Sequence, residues 1–420
     1  MSGPGADAGP AAPEPSRLRV IPVLGVTQIL AWGSSYYLLA VLAQPIAGDT
    51  GWPPAWVVGG LSLGLLTAGL VSPRVGDGIQ RHGGRPVLAA SAVLLALGLA
   101  ALAVAPSLPV YVAAWVVLGI GMGAGLYDAA FATLGRLYGL RARTAIATLT
   151  LFGGFASTIC WPLSALMVAE LGWRGACLAY AGIHLGVLLP LYLFVLPAEP
   201  KAGTALASPA DAPGRKRQAA GPIPAGAMPV FLLLAAAVTV SSMISTVVSV
   251  HLLTILQARD IVLAAAVALG ALVGPAQVGA RAIEMLISRF HHPIWTMIAS
   301  TLFVAIGIGA LWAGLPVVSA ALVFYGAGIG IESIARGTLP LVLFGGQRYA
   351  AIMGRIAMPC LIAQAASPSL GALLMERFDT DGTLAGLFAM AVLDVVLVVV
   401  LYALIARQRT PVVAMDAPGR

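Results

Sequence analysis

Long apolar runs follow one another along almost the whole chain, parted by short polar breaks. They fall at 19–46, 55–75, 86–105, 109–134, 144–169, 175–197, 228–256, 261–287, 293–313, 315–340, 350–375 and 383–406. A helix that crosses the hydrocarbon layer needs about 20 apolar residues, and each run supplies that length. Pro, Gly and charge punctuate the breaks, as in Thr50-Gly51-Trp52-Pro53, Arg81-His82-Gly83-Gly84-Arg85 and Gly314-Leu315-Pro316. One break is long, 198–226; it carries Arg215-Lys216-Arg217 and splits the runs six and six. The pattern predicts an all-α membrane protein with twelve transmembrane helices in two six-helix bundles, 17–197 and 227–408. A linker at 198–226 joins them, and tails lie at 1–16 and 409–420. The first tail is rich in Pro, Gly and Ala and is predicted to be disordered. It shows no small-residue cleavage site after a short apolar stretch, so the first run is expected to stay as a spanning helix.

Composition sharpens this picture. Of 420 residues, 60% are hydrophobic and 9% charged, whereas a soluble domain carries about 25% charged residues. So few charges cannot solvate a globule of this size, and they suit a surface that meets lipid. The 49 glycines fit as well, because membrane helices pack through small residues. The net charge of +7 does not point to nucleic acid, since the basic residues form neither a domain nor a stripe. They orient the chain instead. With the N-terminus in the cytoplasm, the inner breaks hold Arg81, Arg85, Arg136, Arg141, Arg143, Lys201, Arg215, Lys216, Arg217, Arg289 and Arg348. The outer breaks hold only Arg174, Arg259 and Arg377, together with Asp49, Glu170, Asp260, Glu376, Asp379 and Asp381. This asymmetry predicts a multi-pass protein of the cell membrane with both termini cytoplasmic. Cys160, Cys177 and Cys360 lie inside apolar runs and match no disulfide framework or metal-ligand spacing. The chain carries no phosphate-binding G-x-x-x-x-G-K-[ST] and no H-E-x-x-H. No cofactor, metal or enzymatic activity is expected.

The two halves repeat one another. Gly121, Gly123 and Gly125 recur as Gly326, Gly328 and Gly330 at an offset of 205, and Thr133-Leu134 recurs as Thr338-Leu339. Ser34-Ser35 recurs as Ser241-Ser242, Arg74 as Arg281 and Pro86 as Pro293, all at an offset of 207. Parallel six-helix repeats mark one class of transporters. The break Gly76-Asp77-Gly78-Ile79-Gln80-Arg81-His82-Gly83-Gly84-Arg85 resembles the inner loop between helices 2 and 3 of the major facilitator superfamily, G-x-x-x-D-R-x-G-R-R. Gly76, Arg81, Gly83 and Arg85 fit; Gln80 stands where that family has Asp, and Gly84 where it has a basic residue. Gly121-x-Gly123-x-Gly125, Arg143-Thr144-Ala145-Ile146-Ala147, Trp161-Pro162-Leu163 and Gly172-Trp173-Arg174 are similar to the bacterial monocarboxylate and oxalate/formate-like branch. The resemblance implies a monomeric secondary carrier that works by alternating access on a small organic anion, coupled to protons or by exchange. It also implies that Gly76, Gln80, Arg81, Gly83 and Arg85 form an inner gate, that helices 1, 4, 7 and 10 line a cavity, and that Arg281 in helix 8 meets a substrate carboxylate. Proton-driven multidrug efflux is the alternative, although Trp161-Pro162-Leu163-Ser164-Ala165 lacks the flanking glycines of the G-P-x-x-G-G motif in such antiporters. A membrane receptor is the alternative of another class, with no attached soluble domain to support it.

The candidate chemistry lies in charges placed within apolar runs, each costing about 2.5–3.5 kcal/mol at a bilayer centre on insertion scales. These are Asp128, Arg281, Glu284, Glu332, Arg336, His251 and Asp394. Glu332 and Arg336 are spaced i,i+4 and Arg281 and Glu284 i,i+3, so each pair can meet on one helix face. Such pairs serve either as an inner-gate brace or as a substrate and proton site. Asp128 has no basic residue within a turn, which leaves a partner on another helix, or a proton. Gln28, Trp32, Ser35 and Tyr36 share one face of helix 1, as Ser241, Ser245 and Ser249 share one face of helix 7. Polar stripes of this kind suit either a water-filled path or bonding between helices. Asp394 receives no role from the sequence.

Overall fold

In a lipid layer every backbone N–H and C=O must be satisfied within the chain, so a run of apolar residues coils into a helix. A computed structural model of the protein describes residues 16–198 and 225–409. The 1–16 and 409–420 tails and the 198–226 linker lie outside these, apart from residues at their edges. Among the described residues there is no strand.

The first half contains α1 (Arg17–Gly33), α2 (Leu39–Thr50), α3 (Pro54–His82), α4 (Gly84–Ala103), α5 (Leu108–Gly125), α6 (Tyr127–Tyr138), α7 (Ala142–Gly153) and α8 (Ala156–Ile183). The second contains α9 (Met228–Gln257), α10 (Leu263–Gly270), α11 (Val273–Ile287), α12 (Pro293–Trp312), α13 (Val318–Phe344) and α14 (Gly346–Arg409). Among the described residues eight stretches, counted across kinks, are long and apolar enough to cross a membrane. Two of them, Leu108–Val195 and Gly346–Arg407, contain sharp breaks. Gly172 (φ 70) interrupts α8, and Asp379 (φ 56) interrupts α14.

Several boundaries differ from the sequence reading. Helix 1 is not one rod: it opens over Ser34–Leu38, between α1 and α2. Ser34 and Ser35 donate their hydroxyls to the Leu30 and Ala31 carbonyls, a back-bonding that loosens the local helix ladder. The expected polar loop 76–85 is almost wholly helical, because α3 runs on to His82 and α4 begins at Gly84. Gly83, at φ 89, makes the turn alone, in a conformation that suits glycine.

One large apolar cluster gathers residues of α1–α8 and takes in Leu341, Tyr349, Ala350 and Met353 from the second half. Three smaller clusters lie within α9–α14. The outside stays apolar, with Leu166, Phe194, Leu232, Ile283, Leu286 and Val396 exposed, which suits a lipid boundary rather than water. The halves meet along α3 and α14, where backbones touch. A Cβ on Gly76 would stand 2.5 Å from the Ala350 carbonyl oxygen, and one on Gly354 2.3 Å from that of Ser72. At the end away from Gly83 each half is tied within itself. Asp49 accepts from Arg174 and from Trp173 Nε1 (3.0 Å), while Arg259 donates to Asp381 (2.5 Å) and to the Leu311 carbonyl.

Candidate functional site

The centre is built on helix breaks. Leu126 is extended between α5 and α6, so the Gly125 carbonyl has no N–H one turn on. The buried Gln28 side chain supplies the donor, with Nε2 2.7 Å from that oxygen. Gln28 Oε1 in turn accepts from Trp32 Nε1 at 3.2 Å. Trp32 packs edge-on to Tyr36 and against Tyr127, at 5.2 and 5.1 Å between ring centroids, and Tyr127 stacks on Phe131. Of the polar face expected on helix 1, Gln28 and Trp32 share α1 and bond to each other, while Ser35 and Tyr36 lie in the opened stretch; together Gln28, Trp32 and Tyr36 fill one broken turn and frame an aromatic wall.

Against that wall lies a cavity of about 80 Å³, lined by Trp32, Tyr36, Tyr127, Asp128, Phe131, Glu332, Ser333, Arg336 and Gln364 among others. Asp128, in the first turn of α6, takes Arg336 of α13 as partner: Nη2 donates to both carboxylate oxygens, at 3.0 and 2.8 Å. This pair crosses between the halves. Arg336 Nε and Glu332 Oε1 are buried without a hydrogen-bond partner. The expected pairing of Glu332 with Arg336 thus gives way to Asp128 with Arg336, while Glu332 remains one turn away within the field of Arg336 and Arg281. A second interhalf pair, Asp77 with Arg355 at 3.9 Å, lies toward the Gly83 turn.

Arg281 is buried and does not pair with Glu284, as its spacing allowed. Nε donates to the Gly330 carbonyl (3.1 Å), Nη1 to the Thr150 carbonyl of the other half (3.1 Å) and Nη2 to Gln277 Oε1 (3.3 Å). All three acceptors are neutral. Thr150 is the last-turn carbonyl of α7 and also accepts from the Tyr127 hydroxyl at 3.3 Å, which links Arg281 to the aromatic wall. Glu284 points elsewhere, accepting from Thr296 Oγ1 at 2.7 Å with His291 at 3.5 Å. A three-residue spacing permits contact without choosing it, and the Thr150, Gly330 and Gln277 oxygens take the guanidinium instead.

The model of the Major Facilitator Superfamily matches residues 24–292, more than half of the chain. The chain belongs to this superfamily. It is therefore a transporter and not an enzyme. Its structure is similar to that of the human organic anion transporter MFSD10 (TETRAN), with a TM-score of 0.70 and 16% identity, covering 91% of this chain and 100% of that one. It is similar to the proton:xylose symporter XylE bound to 6-bromo-6-deoxy-D-glucose, with a TM-score of 0.66 and 14% identity, covering 90% and 94%. It is also similar to FucP in the outward conformation, with a TM-score of 0.69 and 13% identity, covering 92% and 99%. These likenesses show the fold. Among curated protein sequences none matches.

The superfamily's inner-loop motif can now be placed residue by residue. Gly76 is the point where α3 crosses α14, so its lack of a side chain is a packing requirement. The Gln80 carbonyl accepts from Arg136 on α6, and its side-chain Oε1 is buried without a partner. Gly83 turns the chain, Arg81 is exposed and Arg85 half-buried. Arg74, the repeat partner of Arg281, is exposed. His251 and Ser245 do not line the cavity: His251 Nε2 lies 3.0 Å from the Pro368 carbonyl, and the Ser245 carbonyl accepts from Tyr325 at 3.4 Å. A larger open groove of about 830 Å³, among Arg259, Leu311, Asp379 and Asp381, contains none of the predicted site residues. Sequence reasoning missed Tyr127, Ser333, Gln364 and Arg355. Tyr127 and Phe131 flank Asp128 at helical spacing, and Gln364 is an amide alone in an apolar run, so each left a readable trace.

Proposed function

We propose that the protein is a secondary carrier of a small organic anion of the monocarboxylate type, coupled to protons, working by alternating access across the cytoplasmic membrane. Two six-helix bundles, 17–197 and 227–408, rock about the central cavity as twelve crossings, with α1 and α2 forming one of them. The basic-residue asymmetry supports cytoplasmic termini, which makes the Gly83 end the inner one, and nothing in the reading requires more than a monomer.

The observation that carries the substrate class is the charge pattern of Asp128, Glu332 and Arg336, which line the cavity, with Arg281, which lies outside its lining. Arg281 is bonded only to neutral acceptors, Arg336 is matched by Asp128, and Glu332 has an oxygen without a donor. Two guanidinium groups and two carboxylates balance when Glu332 is ionised. A proton on Glu332 leaves one positive charge in a water-poor setting, and a monoanion restores neutrality. Proton and anion then enter together, because either alone leaves an unbalanced charge that is costly to bury. Arginine suits the anion because it stays charged and offers a planar fork of donors. That similar structures include an organic anion transporter and a proton symporter agrees with this reading.

The test is counterflow in proteoliposomes with labelled carboxylates, sugars and amines. Small monocarboxylates should exchange, and an inward proton gradient should drive their accumulation. Arg281→Lys, which keeps the charge and loses the fork, should raise the apparent KM severalfold or more with expression intact. Uptake of sugars or amines alone, or an unchanged KM, would remove the organic-anion assignment.

A further inference from the structure

Asp394 sits in the middle of the last helical stretch, 380–409, about 21 Å from either end at 1.5 Å per residue. Its residue exposure is 1%, and neither carboxylate oxygen has a hydrogen-bond partner. It does not line the central cavity. The groups around it come from three helices. From α9 the Ser241 hydroxyl lies toward it, near enough to interact but outside bonding geometry. From α13 the Glu332 carboxylate acts on it through space, with Arg336 and Asp128 beyond. From α12 comes no titratable side chain, only hydroxyls, of which the buried Ser300 Oγ is also unpartnered. Cys360 lies in the neighbouring apolar cluster, and His251 is held some ten residues along α9 by the Pro368 carbonyl.

The first half repeats this arrangement with a different titratable group. Ser34 recurs as Ser241 at an offset of 207, and His184 stands 210 residues before Asp394. His184 is fully buried, its Nε2 2.7 Å from Ser34 Oγ and its Nδ1 without a partner. It opens a π-helical turn, His184–Leu188, a local widening often found at functional sites. Each half therefore places one buried ionisable side chain within its last crossing and near a serine of its first, bonded to it in the first half and unbonded in the second.

We propose that Asp394 is a proton-binding site of this transporter, separate from the central cavity and in electrostatic contact with it through Glu332. An ionised carboxylate buried with no donor and no cation is the arrangement proteins avoid by neutralising the group. A metal ion is a poorer fit, since a hard cation takes six or more oxygen ligands, and no cluster of three or more metal-ligating groups occurs among the described residues. The serine stripe of α9 gives the proton a way in. Ser241 is buried, Ser245 half-buried and Ser249 exposed, one turn apart on one face, so the stripe runs from an exposed position to the level of the carboxyl group. Because Glu332 and Asp394 feel each other's charge, a proton held at Asp394 bears on the one exchanged at the cavity. The site stands on its own geometry and does not depend on which solute is carried.

The test needs no solute, so its failure is distinct from failure of the organic-anion reading. The protein, reconstituted in liposomes, is followed by infrared spectroscopy in the carboxylic-acid carbonyl region as pH is stepped through the range where it stays folded. The wild type should show an acid band that is missing in Asp394→Asn and that loses at least half its intensity between the acid and alkaline limits. A spectrum unchanged by Asp394→Asn would mean an ionised carboxylate and overturn the proposal. So would an Asp394 band constant over the whole range, which is a permanently protonated packing group. A band removed by sodium or calcium chloride at fixed pH would replace the proton with a cation and overturn it likewise. Thermal unfolding of Asp394→Asn, the neutral isostere, checks that loss of the band is not loss of the fold.

Discussion

Asp128→Asn is the most direct probe of how the halves are held together. The bridge to Arg336 joins α6 to α13 with side chains only 16% and 14% exposed, so solvent screens it little. At a charge separation of ~4 Å and an effective dielectric of about 20, the attraction is about 4 kcal/mol. Removing one member of a buried pair costs about 3–5 kcal/mol, because the other charge is left uncompensated. On the alternating-access proposal that cost falls on the Gly83 end, where the α3 and α14 backbones touch, and favours its opening. Each 1.4 kcal/mol is a tenfold change, so the open-to-closed ratio should rise between roughly a hundredfold and a few thousandfold. Glu332, one turn from Arg336, offers a fallback partner and sets the lower bound; Asp128→Asn with Glu332→Gln should approach the upper one. Spin labels on cysteines at the exposed positions His82 and Gln347 report the opening by pulsed electron resonance. The natural Cys160, Cys177 and Cys360 are buried and can stay. A distance distribution that is the same in wild type, single and double variants would refute the bridge as a gate.

Three further outcomes follow from packing and charge. Gly354→Val drives a side chain into the Ser72 carbonyl region of α3, and overpacking of this kind costs about 1–3 kcal/mol; the label pair should separate and the melting temperature fall, and an unchanged pair would mean that the α3–α14 contact is not part of the gate. Gln80→Asp places a carboxylate where Arg136 already reaches the Gln80 carbonyl, and a charge-assisted bond is stronger than a neutral one; cysteine accessibility at the Gly83 end should fall, and no fall would sink the motif's gating role here. The hydrogen bonds from Arg174 and then Trp173 hold the Asp49 carboxyl below its usual range, so its contribution to stability is full above the unfolded value of about 3.9 and is lost as pH falls through the lowered value. Asp49→Asn should flatten the acid side of the melting-temperature curve below about pH 4, and equal slopes would refute the tie.

Much of this molecule could be read from its pattern of residues, because a lipid solvent imposes one strong rule on every segment. The apolar runs, the internal repeat and the superfamily follow from length, spacing and a ten-residue motif. Breaks within helices were less visible. Ser34–Leu38 and Leu126 contain no proline, and only the hydroxyl back-bonds and the Gln28 side chain explain why the chain opens there. Partner choice was the least legible. Spacing offered Arg281 to Glu284 and Arg336 to Glu332, but spacing counts neighbours on one helix and cannot see the carbonyls and carboxylates on the next. Asp128 shows the opposite case. Its lack of a local partner left either a partner on another helix or a proton, and the structure places Arg336 of α13 against it.

The two ties at the end away from Gly83 carry opposite polarity. Arg174 and Asp381 are 207 positions apart, and Asp49 and Arg259 are 210 apart, so a carboxylate in one half answers a guanidinium in the other. Had the duplication kept the same signs, like charges would occupy equivalent places around the axis between the halves. Bringing that end together would then meet repulsion. With the signs exchanged, each guanidinium has a carboxylate at the equivalent place across that axis, so an approach of the rims would meet attraction rather than like charges at these positions. Such attraction between exposed groups reaches only about 8 Å in physiological salt. On the alternating-access proposal it would add little while the halves are apart and grow over the last stage of approach, so ionic strength would shift the balance between the two end states.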